Sequence, residues 1–137
     1  MNDSSQKPAP PNLDLIQLVQ AARLAYDADV LPSQVNGVYW LEVKRETPGP
    51  GPTSRAGAWV IETTAGEVDA LWVLVRAATR DGRLGYKAKA ATAARAGGGQ
   101  REIHVAAYDT EDSADVERVR MALVALGVTG PLRYDRS

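Results

Sequence analysis

The run Thr47-Pro48-Gly49-Pro50-Gly51-Pro52 limits what this chain can fold into more than any other stretch. Proline fixes φ and lacks an amide donor, and glycine offers no side chain to pack, so neither a helix nor a strand continues through it. The run is therefore a loop. Before it, residues 38–44 read Val-Tyr-Trp-Leu-Glu-Val-Lys, and after it residues 58–63 read Ala-Trp-Val-Ile-Glu-Thr. Both are rich in the aromatic and β-branched residues that suit strands.

Thr64-Ala65-Gly66-Glu67 has the form of a capping box, with Thr64 as cap. The segment behind it carries Val68, Leu71, Trp72, Val75 and Ala78 on one helical stripe and stops near Gly82, a C′ glycine. Residues 86–93 form a strand by context, since alanine favours strands poorly. Gly97-Gly98-Gly99 then reads as a hairpin turn, and residues 102–108 as another strand. Asp112 or Ser113 caps a last helix with Val116, Val119, Leu123 and Leu126 inward, stopped at Gly127. Residues 131–134 add a short edge strand. Nearer the start, residues 1–11 are polar and proline-bearing and are expected to be a disordered tail. Asn12 caps a helix over 13–26, and residues 12–137 are expected to form one domain.

The strand pairs at 38–63 and 85–108, interleaved with helices, predict an α+β fold: a mainly antiparallel sheet with its helices collected on one face. Alternation divides each strand. Tyr39, Leu41 and Val43, then Tyr86, Ala88 and Ala90, then Ile103, Val105 and Ala107, form the apolar sets that should meet the helices. The small alanines leave room for Trp72. The opposite face carries Trp40, Glu42, Lys44, Lys87, Lys89, Glu102, His104 and Tyr108. Residues 58–61 are apolar on both faces and stay unassigned. An antiparallel sheet commonly leaves one side to water, so this set also fits a plain solvated surface. Trp40 is the exception that suggests a stacking or contact surface.

With a formal net charge of −1, no global field draws the chain to duplex nucleic acid or an anionic membrane. Cysteine is absent and there is one histidine. That excludes disulfides, thiolate chemistry and a multi-histidine metal site, and no metal or cofactor is expected. The first residues lack an apolar signal core and no run is long enough to span a bilayer, so a soluble, cytoplasmic protein is expected. Arg55, Lys87, Lys89, Arg95 and Arg101 are candidates for holding phosphate through charge-assisted hydrogen bonds. The glycine run is no phosphate loop, because no Lys-Ser/Thr follows it.

Tyr39-Trp40-Leu41, Gly57-Ala58-Trp59-Val60-Ile61, Val68-Asp69-Ala70-Leu71-Trp72, Gly82-Arg83-Leu84-Gly85 with Ala88-Lys89, and Leu126-Gly127-Val128 occur in that order. The series, over about residues 38–134, resembles the family of the basophilic leukemia-expressed protein, whose microbial members carry a phosphothreonine lyase label. That family is similar in fold to the eukaryotic mRNA cap-binding translation initiation factor. The resemblance implies a curved sheet with helices on its convex back and binding on the concave face. Two departures stand out. Ala58 replaces the lysine of the family's Gly-Lys-Trp, and the sequence ends at Ser137 where relatives continue into a longer tail, so a site completed there is expected to be incomplete. Residues 45–57 contain no aromatic residue, which removes half of a cap-binding sandwich. The Lys-x-His arrangement of effector-type lyases is also missing at Ala58-Trp59-Val60.

The expected function is a non-catalytic binding module. Its face, with Trp40, Lys87, Lys89, Arg95, Arg101 and His104, would take a phosphate-containing small molecule, a nucleotide, a phosphopeptide or another protein segment. Two alternatives are a phosphothreonine-type lyase, with Lys87 or Lys89 as base and His104 as acid, and an oligomerisation or adaptor domain using Trp40 and Trp59.

Overall fold

The proline-glycine run lies between two strands that are not neighbours in the sheet. In the computed structural model, residues 30–94 and 98–136 are described, and Leu31–Ser137 group as one compact unit. The expected tail 1–11, the expected helix 13–26, Arg95 and Gly97 lie outside the described residues. A 3-10 turn at Pro32–Gln34 leads to β1 (Trp40–Lys44), β2 (Gly57–Thr64), α1 (Val68–Arg80), β3 (Lys87–Ala91), β4 (Gln100–Ala107), α2 (Ser113–Ala125) and β5 (Leu132–Arg136). The five strands form one open sheet in the order β1-β3-β4-β2-β5, each neighbouring pair antiparallel. This is the expected α+β architecture. Each member of the strand pair flanking the proline-glycine loop finds its partner in the later pair, β1 with β3 and β2 with β4.

Register assigns the faces. Leu41 and Val43 stand opposite Ala90 and Ala88, which in turn oppose Ile103 and Val105, and all six are buried. α1 packs against β1, β3 and β4, burying Val68, Trp72, Val75 and Ala78. Ala88 and Ala90 make the poorest strand by propensity, yet the site demands small residues beneath a helix carrying Trp72; packing outweighs propensity here. β2 resolves likewise. Trp59, Ile61 and Thr63 join the helix side, and Ala58, Val60 and Glu62 the other. The Trp59 indole donates to the Val116 carbonyl of α2 at 2.9 Å and meets the Tyr134 ring edge-on at 5.1 Å. Trp59 is thereby anchored, half-buried, between α2 and β5.

Three local expectations are corrected. Thr64 caps nothing: it ends β2 opposite Gln100, its carbonyl accepts from Glu67 N–H, and α1 begins at Val68 with no side-chain cap. Tyr39 precedes β1 and is 62% exposed instead of facing the helices. Tyr108 follows β4 and bonds the Asp112 carboxylate instead of continuing the open face. Among the described residues the stops stand as read, and of Asp112 and Ser113 it is Asp112 that caps the last helix; the expected Asn12 cap lies outside the described residues. Asp112 accepts from Asp115 N–H at the start of α2, and Gly82 and Gly127 adopt φ of 79° and 102° just beyond the two helices.

Candidate functional site: a basic cleft on the open sheet face

The face away from the helices is built by register. Trp40, Glu42 and Lys44 of β1 stand opposite Ala91, Lys89 and Lys87 of β3. Lys89 and Lys87 stand opposite His104 and Ala106 of β4, and these oppose Val60 and Ala58 of β2. β5 completes the row, with Asp135 beside Ala58 and Arg133 beside Val60. Val60 is 0% exposed on this face, so it is not an ordinary wet sheet surface.

A cleft of about 410 Å³ opens here, lined by Tyr86, Lys87, Lys89, His104, Asp135 and Arg136 around a floor that includes Ala58 and Ala106. Small side chains in two adjacent strands leave the hollow, and longer ones to either side wall it. Lys87, Lys89 and His104 are thus brought together. Trp40 does not line the cleft but braces it: its ring lies 4.3 Å from the Lys89 ammonium and meets the His104 ring edge-on at 4.9 Å. Arg101 is not brought there. It pairs with Thr63 on the helix side, and its Nη1 donates to the carbonyls of Gly98 and Gln100 at 2.9 and 2.8 Å. Arg55 is likewise engaged, its Nε donating to Asp109 Oδ1 at 2.9 Å.

The charges are arranged unequally. His104 Nε2 lies 2.9 Å from Glu102 Oε1. That hydrogen bond, helped by the charges of His104 and Arg133, holds Glu102 below the usual carboxylate range against the opposing effect of burial. Glu102 is therefore the acceptor and Nε2 the donor, which leaves Nδ1 as the second polar atom of the ring. Arg133 spans Glu62, Glu102 and Asp135, with its Nε 3.2 Å from Asp135 Oδ1. The carboxylates toward β5 are thus bonded to Arg133 and His104, while among the described residues Lys87 and Lys89 make no ion pair and lie against the rings of Tyr86 and Trp40. Burial first, and the Glu42 carboxylate second, push the Tyr86 phenol above its ordinary value, so it keeps its proton and can donate.

A family model described as basophilic leukemia-expressed protein Bles03 matches residues 53–134, more than half of the chain. The chain belongs to that family. The matched span contains β2 to β4, both helices and the first three residues of β5, and with them Tyr86, Lys87, Lys89 and His104; β1, with Trp40 and Lys44, precedes it, and Asp135 and Arg136 follow it. No curated protein matches the sequence.

Asp135 and Arg136 in the cleft and Arg133 beside it are not among the residues the sequence singles out, because the pattern ends the last strand at 134 and names no partner for it. Nothing in local composition says that β5 pairs with β2. Alternation predicts Tyr86 on the helix side; it lines the cleft instead, because it precedes β3 and escapes that strand's parity. Among the described residues, no three His, Asp or Glu gather as a metal site, and no helix is long and apolar enough to cross a membrane.

Proposed function

We propose that the chain is a non-catalytic binding module whose open sheet face takes a phosphate-containing ligand. The observation that carries this reading is the convergence of Lys87, Lys89 and His104 on one cleft, with both ammonium groups free of a carboxylate partner among the described residues. An anion there gains charge-assisted hydrogen bonds without breaking an existing ion pair. Trp40 serves to orient Lys89, since the ring approached by an ammonium at 4.3 Å is already used on that side. Recognition therefore centres on phosphate and not on a stacked base, in keeping with the missing second aromatic of a cap-type sandwich in residues 45–57. The likeness to the cap-binding fold implies the same sheet face. The family's lysine would project from position 58 onto the cleft floor, so its replacement by Ala58 makes the cleft roomier and less basic. A cysteine-free chain with a phosphate ligand suits the cytoplasm.

The test is calorimetric titration with inorganic phosphate and with a phosphothreonine peptide. Saturable binding is expected, and Lys87→Gln with Lys89→Gln should abolish it. The absence of saturation at millimolar ligand in the unaltered protein overturns the reading.

One observation favours a second reading. Lys89 and His104 are direct cross-strand partners, which is the placement a β-eliminating pair needs: an amine to remove the α proton and an imidazolium to protonate the departing phosphate. The cation–π contact, however, engages the ammonium and not the free amine. Mass spectrometry of a phosphothreonine peptide incubated with the protein decides it. Loss of phosphoric acid that disappears in Lys89→Ala and in His104→Ala would establish the lyase.

A further inference from the structure

Lys44 and Lys87 stand directly opposite each other on β1 and β3. Arg45 N–H donates to the Tyr86 carbonyl and Thr92 N–H to the Tyr39 carbonyl, both at 3.0 Å. These bonds make 45/86 and 39/92 hydrogen-bonded pairs, so 44/87 falls in the alternate, non-hydrogen-bonded class. In that class opposed side chains come closest, with Cβ atoms roughly 4.5–5.5 Å apart, and like charges there repel. Among the described residues neither lysine of the pair has a salt-bridge partner. Glu42, on the same row of β1, stands opposite Lys89 and makes no ion pair there. Two lysines thus stand in the closest cross-strand class, beside a cleft that one of them already lines.

We infer that Lys44 and Lys87 make a second anionic subsite next to that of Lys89 and His104, so that the ligand class is a polyphosphate chain such as that of a nucleoside di- or triphosphate. This rests on the phosphate-binding reading above and sharpens it. Lys87 and Lys89 are two residues apart on one face, which puts the two rows about 7 Å apart along the strand. Long lysine side chains from both rows can grip successive phosphates, whereas a single phosphate occupies one row. The protonated Tyr86 phenol lies on the same wall and supplies a donor that carries no charge.

Calorimetry with inorganic orthophosphate, pyrophosphate and tripolyphosphate tests this on the full chain, on Lys44→Gln, and on Arg83→Gln as a charge-matched control, Arg83 being exposed and paired with Asp81 away from the cleft. Tripolyphosphate is expected to bind the unaltered protein about tenfold more tightly than orthophosphate. Lys44→Gln should remove that advantage by weakening tripolyphosphate several-fold more than orthophosphate, while Arg83→Gln preserves it. Equal affinity for the three anions, an equal loss for all of them in Lys44→Gln, or the same loss in Arg83→Gln overturns the second subsite but leaves the phosphate-binding reading standing. If none of the three binds the unaltered protein, both fall.

Discussion

The Lys89 ammonium sits 4.3 Å from the centre of the Trp40 ring, although the residue opposite Lys89 across the strands is the oppositely charged Glu42. The side chain turns diagonally to the aromatic and keeps its charge available to the cleft. An ion pair with Glu42 would have neutralised it. The same tryptophan meets His104 edge-on, so one residue of an edge strand holds two residues of the cleft wall.

Trp40 should therefore report on ligand binding. The other two tryptophans stand on the helix side of the sheet, Trp72 fully buried and Trp59 half-buried and bonded to Val116. An anion that draws Lys89 off the ring is expected to change the Trp40 emission. Trp40→Phe should remove the fluorescence change while calorimetry still detects binding, weakened by a few-fold. A full signal retained in that variant would place the ligand elsewhere.

Gly85 should tolerate no side chain. A Cβ there would lie 1.5 Å from the Ala106 carbonyl oxygen, a backbone atom that cannot rotate away. Gly85→Ala is expected to cost about 1–3 kcal/mol or more by forcing β3 from β4, in the range of overpacked cores. Urea unfolding measures this, and an unchanged midpoint would contradict the close approach.

Trp59→Phe keeps most of the apolar area and deletes the bond to the Val116 carbonyl. The expected loss is about 1 kcal/mol, the net value of one such hydrogen bond. Chemical denaturation should show it as a lower midpoint with an unchanged slope.

Acid should act through Glu102. Its folded-state value is lowered, chiefly by the bond to His104, so its contribution is present above the ordinary glutamate value of 4.5 and is lost as pH falls through the depressed folded value. The difference in melting temperature between the unaltered protein and Glu102→Gln is expected to be greatest near neutral pH and to shrink below pH 4.5. A difference that grows on acidification would refute the assignment.

Alkali should find Tyr108 late. Its hydrogen bond to Asp112, with burial and the surrounding carboxylates adding to it, pushes the phenol up to about 12. Absorbance titration should show a late-ionising tyrosine that returns toward ordinary behaviour in Asp112→Asn.

Local pattern was enough for much of this molecule. The proline-glycine loop, the stripe from Val68 to Ala78, the Asp112 cap and the glycines past both helices are all readable because each depends on neighbours within a few residues. Alternation separated Leu41 and Val43 from Trp40, Glu42 and Lys44, and so identified most of the open face. Alternation fails where it has nothing to hold: both faces of 58–61 are apolar, Tyr39, Tyr86 and Tyr108 lie just outside their strands, and Thr64 has the pattern of a cap because nothing local says that β2 runs on to meet Gln100. What only the tertiary structure decided is which strands are neighbours. Strand order places Lys89 against His104, Lys44 against Lys87 and Asp135 beside Ala58, and these pairings come from long-range registry set by burial of the helix-facing side. The cations were visible in the chain; their convergence on one cleft was not.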